Sequence, residues 1–362
     1  MNKKPIWIVA AGTGGHIIPG ITFADKVKSE LPDSKILFWG SSDRLESELI
    51  PKYNYPLKFV SSFKWKGQRM LNRILGLPNL FIGIIKVIIF GLKERPSALI
   101  TFGGYISVPV SLACFILRVP IFIFEPNSKS GMSNKLISRF AKKSFSISNS
   151  NAKEVFHCPV IDCPIPIRKN FLPIKKIKKV PLKVLVLGGS QGARNLSASV
   201  LKIFLKFSKD TAQTPELLIQ SGEKNYNFLK EMLSEENAKI KLTKFIDDVA
   251  GELRKADLVI SRSGAMSVAE ISAVCIPAIF VPYPFAADNH QYTNILSLYK
   301  NNSIVHVNEK SSSFEIDLKE AIQRLLFDEQ GYDLRLKLHN SMKLNLTVDG
   351  SQLIFDELED CL

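Results

Sequence analysis

The chain has 362 residues, of which 46% are hydrophobic and 23% are charged, a composition typical of folded globular proteins rather than disordered ones. Because a single hydrophobic core stops growing at about 250–300 residues, this length predicts two domains. The 48 Lys and Arg residues exceed the 34 Asp and Glu residues, and the net charge of +14 fits an anionic substrate, an anionic lipid surface or nucleic acid as partner, or a lysine-rich proteome with no such partner.

The first predicted element is a strand over Ile6–Ala10, which runs directly into a glycine-rich loop, GTGGH at residues 12–16. A glycine loop between a strand and a helix exposes backbone N–H groups, and the helix dipole places its positive end beside them, so an anion is favoured. The loop lacks the context of a dinucleotide-binding G-x-G-x-x-G, and the chain has no G-x-x-x-x-G-K-[ST] motif. We therefore expect a diphosphate group here, with no nicotinamide cofactor.

Strands and helices alternate through the rest of the first half. The predicted strands, all short and mostly apolar, are Lys35–Trp39, Leu57–Val60, Ala98–Phe102, Ile121–Phe124 and Ser144–Ile147. Segments at helical spacing lie between strands, such as Gly20–Glu30 and Ser107–Leu117. This alternation predicts βαβ units and a parallel sheet.

An apolar segment at residues 77–92 lies between two predicted strands and contains one charge, Lys86. It is shorter than the roughly 20 residues that a helix needs to span a bilayer. Basic residues flank it on both sides: Lys64, Lys66, Arg69 and Arg73 before it, and Lys93 and Arg95 after it. The segment fits either a surface that docks on anionic lipid or a crossover helix buried on the sheet, and we expect one face of each kind.

Residues 158–183 interrupt the alternation with five prolines and a lysine-rich run, which predicts a linker between domains. Three candidate zinc ligands, His157, Cys158 and Cys163, fall near its start, but no second cluster pairs with them, so we expect no metal site. The five cysteines are scattered along the chain, which is typical of a reducing compartment.

The pattern restarts after the linker with a strand and a second glycine loop, LKVLVLGGSQGARNLS at residues 182–197. Further strands are predicted at Glu216–Gln220, Ile240–Phe245, Asp257–Ser261, Ala278–Val281 and Ser303–His306. Each half thus opens with a glycine-loop unit, which predicts two doubly wound Rossmann-like α/β domains whose ligand-binding edges face a cleft. We place the domains at residues 1–163 and 164–344.

Two polar segments follow predicted strands in the second half. A turn at residues 262–264 leads into a helix with Glu270 in its second turn, where a carboxylate can accept hydrogen bonds from ribose or simply favour the helix dipole. The segment DNHQ at residues 288–291 follows the next strand and groups side chains suited to sugar hydroxyls. Taken alone, each segment is also compatible with an ordinary polar surface.

Together these pieces resemble the MurG family of bacterial peptidoglycan glycosyltransferases. The matching segments, in the family's order, are GTGGHIIPG at 12–20, GGYISVP at 103–109, EPNSKSG at 125–131, GGSQGARNLS at 188–197, SRSGAMSVAE at 261–270 and DNHQYTN at 288–294. The resemblance implies a GT-B fold and an inverting hexosyltransferase that moves N-acetylglucosamine from UDP-N-acetylglucosamine to undecaprenyl-diphospho-N-acetylmuramoyl-pentapeptide, which converts lipid I to lipid II.

The resemblance also has implications for the roles of the two domains and for the location of the enzyme. It implies an N-terminal domain that takes the acceptor and a C-terminal domain that binds the UDP-sugar. It also implies a last helix, at about 345–362, that packs back on the N-terminal domain. We expect no metal or cofactor, and a peripheral location on the cytoplasmic face of the bacterial inner membrane.

Residue-by-residue matching to the family gives three sets of site residues. The implied donor-binding residues are Thr13, Gly14, Gly15, Asn127, Arg168, Ser190, Ile246, Ala265, Met266, Ser267, Val268, Ala269, Glu270, His290 and Gln291. The implied acceptor-binding residues are Gly103, Gly104 and Tyr105, and the candidate catalytic residues are His16 and Glu125.

An inverting transfer needs a base for the acceptor hydroxyl, and His16 stands at the mouth of the first loop. It serves as that base, holds the acceptor diphosphate or only caps its helix, and Glu125 is the rival base. The chain departs from the family at Phe124 and Pro126, which replace the His and Gln of a His-Glu-Gln-Asn segment, and at Ala11, which replaces a glycine. Acceptor contacts of the replaced histidine are therefore not carried over.

Two other classes of function remain open at this point. A UDP-N-acetylglucosamine 2-epimerase or another soluble GT-B sugar-nucleotide enzyme would share the fold, but it gives no reason for the apolar and basic stretch at 63–95. A basic nucleic-acid-binding protein would fit the charge, but it would show aromatic residues interleaved with basic ones or a recognised module. Neither is found, so we expect no nucleic acid partner.

Overall fold

The computed structural model describes residues 4–60, 70–148, 150–189, 192–210, 214–233, 239–344 and 349–361. The chain forms two compact units. Unit 1 consists of Met1–Arg168 and Val348–Leu362, and unit 2 consists of Lys169–Thr347.

Unit 1 is built on a seven-stranded parallel sheet. Its strands are β1 (Ile6–Val9), β2 (Ile36–Gly40), β3 (Leu57–Phe59), β4 (Ala98–Thr101), β5 (Ile121–Glu125), β6 (Lys143–Ser146) and β7 (Val160–Asp162). They are ordered β3-β2-β1-β4-β5-β6-β7, and each neighbouring pair is parallel. The strand order reverses between β1 and β4, so loops diverge there and leave a crevice at the carboxyl ends of these two strands.

Helices connect the strands of unit 1. They are α1 (Gly14–Glu30), α2 (Leu45–Lys52), α3 (Met70–Glu94), α4 (Ser107–Ile116), α5 (Met132–Ile137) and α6 (Ala152–Val155). The central strands read as continuous apolar runs because both faces of the sheet are covered. In β1 all four residues are buried, and Trp7 packs edge-on against Trp39 of β2 with ring centroids 5.1 Å apart.

Unit 2 is a second, six-stranded parallel sheet. Its strands are β8 (Lys183–Leu187), β9 (Glu216–Gln220), β10 (Ile240–Thr243), β11 (Leu258–Ser261), β12 (Ala278–Phe280) and β13 (Val305–His306). The order β10-β9-β8-β11-β12-β13 reverses between β8 and β11. Its helices are α7 (Arg194–Asp210), α8 (Tyr226–Met232), α9 (Val249–Lys255), α10 (Ala265–Val274), α11 (His290–Lys300), α12 (Phe314–Leu326) and α13 (Gly331–Leu344).

The C-terminal helix α14 (Gly350–Leu358) belongs to unit 1, where it packs against α1. Asp349 caps it by accepting a hydrogen bond from the backbone N–H of Ser351 at 3.0 Å. A Cβ on Gly350 would lie 1.8 Å from the carbonyl oxygen of Pro164, so glycine permits the close approach of the helix to the segment after β7. Short 3₁₀ turns cover Glu223–Asn225, Ala287–Asn289 and Glu359–Cys361.

The two parallel α/β sheets confirm the predicted fold class, and two local expectations were wrong. Helix α1 begins at Gly14 rather than Gly20, because Pro19 is accommodated inside the helix, where it removes only one backbone hydrogen bond. Strand β7 lies inside the segment predicted to be linker. It pairs with β6 at the edge of the sheet, where flanking prolines are tolerated because the outer side of the strand needs no N–H donors.

Helix α3 has one face on the core and one face exposed. Val87 is fully buried, and Ile84 and Ile88 pack against the core cluster of unit 1. The opposite face exposes large apolar side chains, namely Phe81, Ile82, Ile85, Ile89 and Leu92, each 55–61% exposed. Among the residues that the structure describes, no helix is both long and apolar enough to cross a membrane. Of the flanking basic residues, Lys64, Lys66 and Arg69 lie outside the described residues.

Candidate active site

The loops after β1 and β4 meet where the strand order of unit 1 reverses. Gly104 has a φ of +95°, and a Cβ there would lie 2.6 Å from the carbonyl oxygen of Ala11. Gly103 has a φ of +109°, and a Cβ there would lie 3.1 Å from Nε2 of His16. Both positions therefore need glycine for conformation and for space, and the two loops form one surface at the carboxyl edge of the sheet.

His16 lies in the first turn of α1, with Nδ1 3.2 Å from the carbonyl oxygen of Ala11 and 3.3 Å from Oγ1 of Thr13. Because a carbonyl oxygen only accepts, we assign the proton of the neutral ring to Nδ1, which leaves a lone pair on Nε2. Burial lowers the pKa of His16 below its usual value, and the negative charges of Glu125 and Glu46 oppose that shift. A neutral imidazole with a free Nε2 at a ligand crevice has the properties of a general base.

Glu125 ends β5, is 1% exposed, and has both carboxylate oxygens hydrogen-bonded. Oε1 accepts from the backbone N–H and the side-chain amide of Asn127 at 3.1 and 3.2 Å. Oε2 accepts from the backbone N–H of Gly131 at 2.8 Å and from the amide of Asn134 at 3.0 Å. These four bonds fix the loop that follows β5 and the start of α5, and they orient Asn127, one of the predicted donor-binding residues.

The other predicted residues of this crevice leave it open. Thr13 is exposed at the N-cap of α1 and makes no side-chain cap hydrogen bond, and a Cβ at Gly14 would meet nothing within 4 Å. Gly15 is in the first turn as well. Tyr105 is half-buried, and its hydrogen bond with Arg44 raises the pKa of that arginine. An open glycine loop at a helix N-terminus is suited to phosphate oxygens.

The second glycine loop, after β8, is shaped by contacts that only glycine allows. A Cβ at Gly188 would lie 2.4 Å from the backbone nitrogen of Ala193. One at Gly192, whose φ is +75°, would lie 1.9 Å from the carbonyl oxygen of Ser221, directly after β9. Ser190, a predicted donor-binding residue in this loop, lies outside the described residues.

Helix α10 starts directly after β11, the strand that pairs with β8. Its N-cap is Gly264, which offers no side-chain cap, so ligand groups can approach the N–H groups of the first turn. Of the predicted donor-binding residues on α10, Ala265 and Val268 are buried, and Met266, Ser267, Ala269 and Glu270 are half-buried. This uncapped helix start lies where the strand order of unit 2 reverses, which is a place suited to a diphosphate.

Arg262 is buried in the turn between β11 and α10, and sequence analysis did not single it out. Its Nη1 donates to the carbonyl oxygens of Val281 and Pro282 at 3.1 and 3.3 Å and pairs with the carboxylate of Glu309. Glu309 also accepts from Nδ2 of Asn195 at 2.5 Å. The ion pair and these hydrogen bonds thus join three connecting segments, namely the turn before α10 and the segments after β12 and β13, to the start of α7. The only sequence signal was an arginine directly after an apolar strand.

The start of α11 is tied to the same edge of unit 2. Oε1 of Gln291 accepts from the backbone N–H of Tyr283 at 2.9 Å. Nδ2 of Asn294 donates to the carbonyl oxygen of Ser263 at 3.1 Å, which holds α11 against the turn before α10. Gln291 and the neighbouring His290, which is half-buried, are therefore brought close to the start of α10.

The predicted donor-binding residues divide between the two units. Those in unit 1 are Thr13, Gly14, Gly15, Asn127 and Arg168, and the remaining ones belong to unit 2. Arg168 is half-buried and ends the first segment of unit 1. Within unit 2, Ile246 is 7% exposed and follows β10, two strands away from β8 at the carboxyl edge.

Comparison with known proteins gives consistent matches over the chain. The N-terminal domain of glycosyltransferase family 28 matches residues 6–146, and its C-terminal domain matches residues 183–344. The UDP-N-acetylglucosamine--N-acetylmuramyl-(pentapeptide) pyrophosphoryl-undecaprenol N-acetylglucosamine transferase of Psychromonas ingrahamii is 34% identical over 317 residues, which are 85% of this chain and 86% of that one. The transferase of the same name from Haemophilus ducreyi is 31% identical over 353 residues, 94% of each chain. A crystal structure of MurG from Acinetobacter baumannii matches with a TM-score of 0.77 and 23% identity over 99% of both chains, which supports the fold.

Proposed function

Because the chain belongs to the MurG family of N-acetylglucosamine transferases, we propose that it moves N-acetylglucosamine from UDP-N-acetylglucosamine to undecaprenyl-diphospho-N-acetylmuramoyl-pentapeptide, which makes lipid II from lipid I. The observation that carries this proposal is the similarity to these transferases, which extends over 94% of the chain. Each unit adds physical support, since the reaction handles two diphosphates and each sheet has a glycine-loop crevice beside a helix N-terminus.

His16 is the general base of the proposed reaction. Its Nε2 accepts the proton of the acceptor hydroxyl while the hydroxyl oxygen bonds to the anomeric carbon of the donor sugar. The bond from that carbon to the phosphate oxygen of UDP breaks, and UDP leaves with the electron pair. Because the acceptor attacks on the side opposite to UDP, the configuration at the anomeric carbon inverts.

The leaving diphosphate carries the negative charge that develops in this step. Backbone N–H groups of the β8 loop and the uncapped start of α10 are the groups of unit 2 that stabilise it. In this proposal Glu270, in the second turn of α10, accepts hydrogen bonds from the ribose. The family resemblance implies that Arg168 also contributes a positive charge to the binding of this diphosphate.

Glu125 has a positioning role in this proposal rather than that of a base. Both of its oxygens accept hydrogen bonds from neighbouring groups, so taking up a proton would weaken the bonds that hold the loop after β5. His16 has no such constraint on Nε2, and the lowered pKa keeps its ring neutral near neutral pH. The geometry of unit 1 therefore favours His16.

We also propose that unit 1 docks on an anionic membrane surface at the cytoplasmic face, where a lipid-linked acceptor is reached. The exposed apolar face of α3 is continued by Phe115 and Ile116 at the end of α4, which are 55% and 60% exposed, and α4 packs against α3. Exposed basic residues accompany this face, among them Lys86, Lys93 and Arg95. Apolar side chains beside basic ones favour the interface of an anionic bilayer.

A transfer assay tests the proposed function. The full chain is incubated with radiolabelled UDP-N-acetylglucosamine and a lipid I analogue, and the products are separated by chromatography. We expect one labelled disaccharide-lipid per UDP released, and no product when the acceptor is omitted. Conversion of the donor to its 2-epimer without an acceptor would support the epimerase instead.

A further inference from the structure

Glu46 is a buried carboxylate beneath the β1 loop that the reaction described above does not use. It lies in the first turn of α2 and is 0% exposed. Oε2 accepts from the backbone N–H of Gly12 at 2.9 Å, and Oε1 accepts from the backbone N–H of Ser41 at 3.1 Å. A buried carboxylate that accepts two backbone hydrogen bonds is held in one orientation.

The peptide group that donates to Glu46 is the one that orients His16. The N–H of Gly12 and the carbonyl of Ala11 belong to the same planar peptide, and that carbonyl lies 3.2 Å from Nδ1 of His16. A chain of hydrogen bonds therefore runs from the carboxylate through one peptide to the imidazole. Hydrogen bonds in such a chain polarise one another, so the carboxylate makes the Ala11 oxygen a stronger acceptor for Nδ1–H.

Two glycines, Gly40 and Gly12, allow Glu46 to occupy its buried position. A Cβ on Gly40 would lie 2.7 Å from Cγ of Glu46, so the last position of β2 must be glycine for the side chain to pass. Gly12 has a φ of +96° although a Cβ there would meet nothing within 4 Å, so its backbone conformation, and not the space, requires glycine. That conformation turns its N–H toward Glu46.

We propose that Glu46 is a positioning residue of the transfer reaction, which acts on His16 through the Ala11–Gly12 peptide. It fixes the tautomer that leaves Nε2 free, and it stabilises the imidazolium that forms when Nε2 takes the acceptor proton. A carboxylate bonded directly to the histidine has the same role in other enzymes, and here one peptide stands between them. The proposal rests on the base role of His16.

Two carboxylates face His16 from the elements packed around it, Glu46 from α2 and Glu125 from β5. In Glu46→Gln one of these negative charges is lost, and the side-chain amide turns an N–H toward a backbone N–H. We expect kcat to fall about 10–100-fold, as is typical when the partner of an essential group is removed. The acidic limb of kcat/KM should move to lower pH, because the imidazolium loses a stabilising charge. The affinity for UDP should not change, since it is expected to depend mainly on unit 2.

Matched variants distinguish a positioning role of Glu46 from an effect on folding stability alone. Glu46→Asp keeps the charge, so its acidic limb should stay in place even though its shorter side chain lowers kcat. Glu48→Gln changes an exposed carboxylate on the same helix and should match the parent in all respects. If Glu46→Gln does not fold, Gly40→Ala displaces the Glu46 side chain without changing charge, and the same reduction in kcat is expected.

Nitrogen-15 NMR of the His16 ring tests the hydrogen-bond chain without a transfer assay. We expect the Nδ1–H form to predominate in the parent and to lose population in Glu46→Gln or, if that variant does not fold, in Gly40→Ala. Full transfer by His16→Ala would overturn the base assignment and, with it, the positioning role of Glu46. Transfer lost in His16→Ala but kept in Glu46→Gln, with an unchanged acidic limb and ring signal, would overturn the role of Glu46 alone.

Discussion

The chemistry proposed for unit 1 depends on the protonation of His16. We expect His16→Ala to lower kcat by about two to four orders of magnitude, because a positioned base contributes that much to the chemical step. Donor affinity should be nearly unchanged. In the parent, kcat/KM should fall at acidic pH as the ring takes up a proton. Because burial lowers the pKa of His16, the midpoint should lie below the usual value of about 6.5. Steady-state kinetics over a pH series measure both effects.

The exposed His157 provides the control, since His157→Ala should leave the rate and its pH dependence as they are. A His16→Ala enzyme with normal kcat and a raised KM for the acceptor would assign His16 to diphosphate binding. One that is unaffected in both constants would mean that the histidine only caps α1.

His16 could be predicted from sequence because its signal is local: a histidine directly after a glycine loop that ends a strand. The contacts that prepare it could not be predicted. Glu46 contacts Gly12, which lies 34 positions away in the sequence, and its mostly polar sequence neighbours give no sign that the carboxylate is buried. Glu125 was predicted from the family motif, but the four hydrogen bonds that occupy it depend on how the loop after β5 folds back.

Among the elements, α3 carries the membrane proposal. We expect Ile85→Asp and Ile89→Asp to reduce binding to anionic vesicles while the melting temperature stays close to the parent value, because both side chains are 55% exposed. Binding should also exceed that to neutral vesicles and weaken as salt is added, since part of the attraction is electrostatic. Vesicle cosedimentation measures the effects of the substitutions, of lipid charge and of salt on binding.

The control for α3 is its buried face. Val87→Ala shortens a fully buried side chain and should lower stability without changing vesicle binding. Equal binding of the parent and both Asp variants to anionic and neutral vesicles, without salt dependence, would assign α3 to the core alone.

In unit 2 the buried ion pair between Arg262 and Glu309 joins three connecting segments. Their side chains are only 9% and 5% exposed, so Glu309→Ala leaves a buried guanidinium without its counter-charge and should destabilise the protein by about 3–5 kcal/mol. Denaturant unfolding measures this loss. Glu315→Ala is the control, because its pair with Lys202 is more than half exposed and should contribute no more than about 1 kcal/mol. Similar losses of stability in the two variants would contradict a stabilising role of the Arg262–Glu309 pair.

The elements that were predicted correctly share a recognisable local sequence pattern. Apolar strands such as Ile6–Val9 and Leu258–Ser261 are each followed by a glycine-containing turn and then a helix, so the hydrophobic pattern and the turn residues indicate the same boundaries. The strand Val160–Asp162 was not found, because three residues between prolines carry no period and are stabilised only by pairing with β6. The Arg262–Glu309 pair was not found because tertiary contacts across 47 positions leave no periodic trace.

At the scale of the whole molecule, the net charge of +14 and two crevices of similar construction suit a protein whose substrates both carry diphosphates. A transferase that is 31% identical over 94% of the chain supports the enzymatic function over the nucleic-acid-binding alternative. Charge alone could not make that distinction, because composition does not place a charge on a surface.

Ligand-induced stabilisation tests the whole assignment. A ligand that binds only the native state raises its stability by RT ln(1 + [L]/Kd), which is about 2.7 kcal/mol at a concentration of 100 Kd. We expect UDP-N-acetylglucosamine to raise the melting temperature and NAD to leave it unchanged, because neither glycine loop has the context of a dinucleotide-binding fold. Glu270→Ala should reduce the shift, since the ribose would lose an acceptor at α10, whereas Glu315→Ala, an exposed carboxylate on α12, should keep it. Equal stabilisation by NAD and UDP-N-acetylglucosamine would contradict the donor assignment, and a full shift in Glu270→Ala would remove the ribose contact from it.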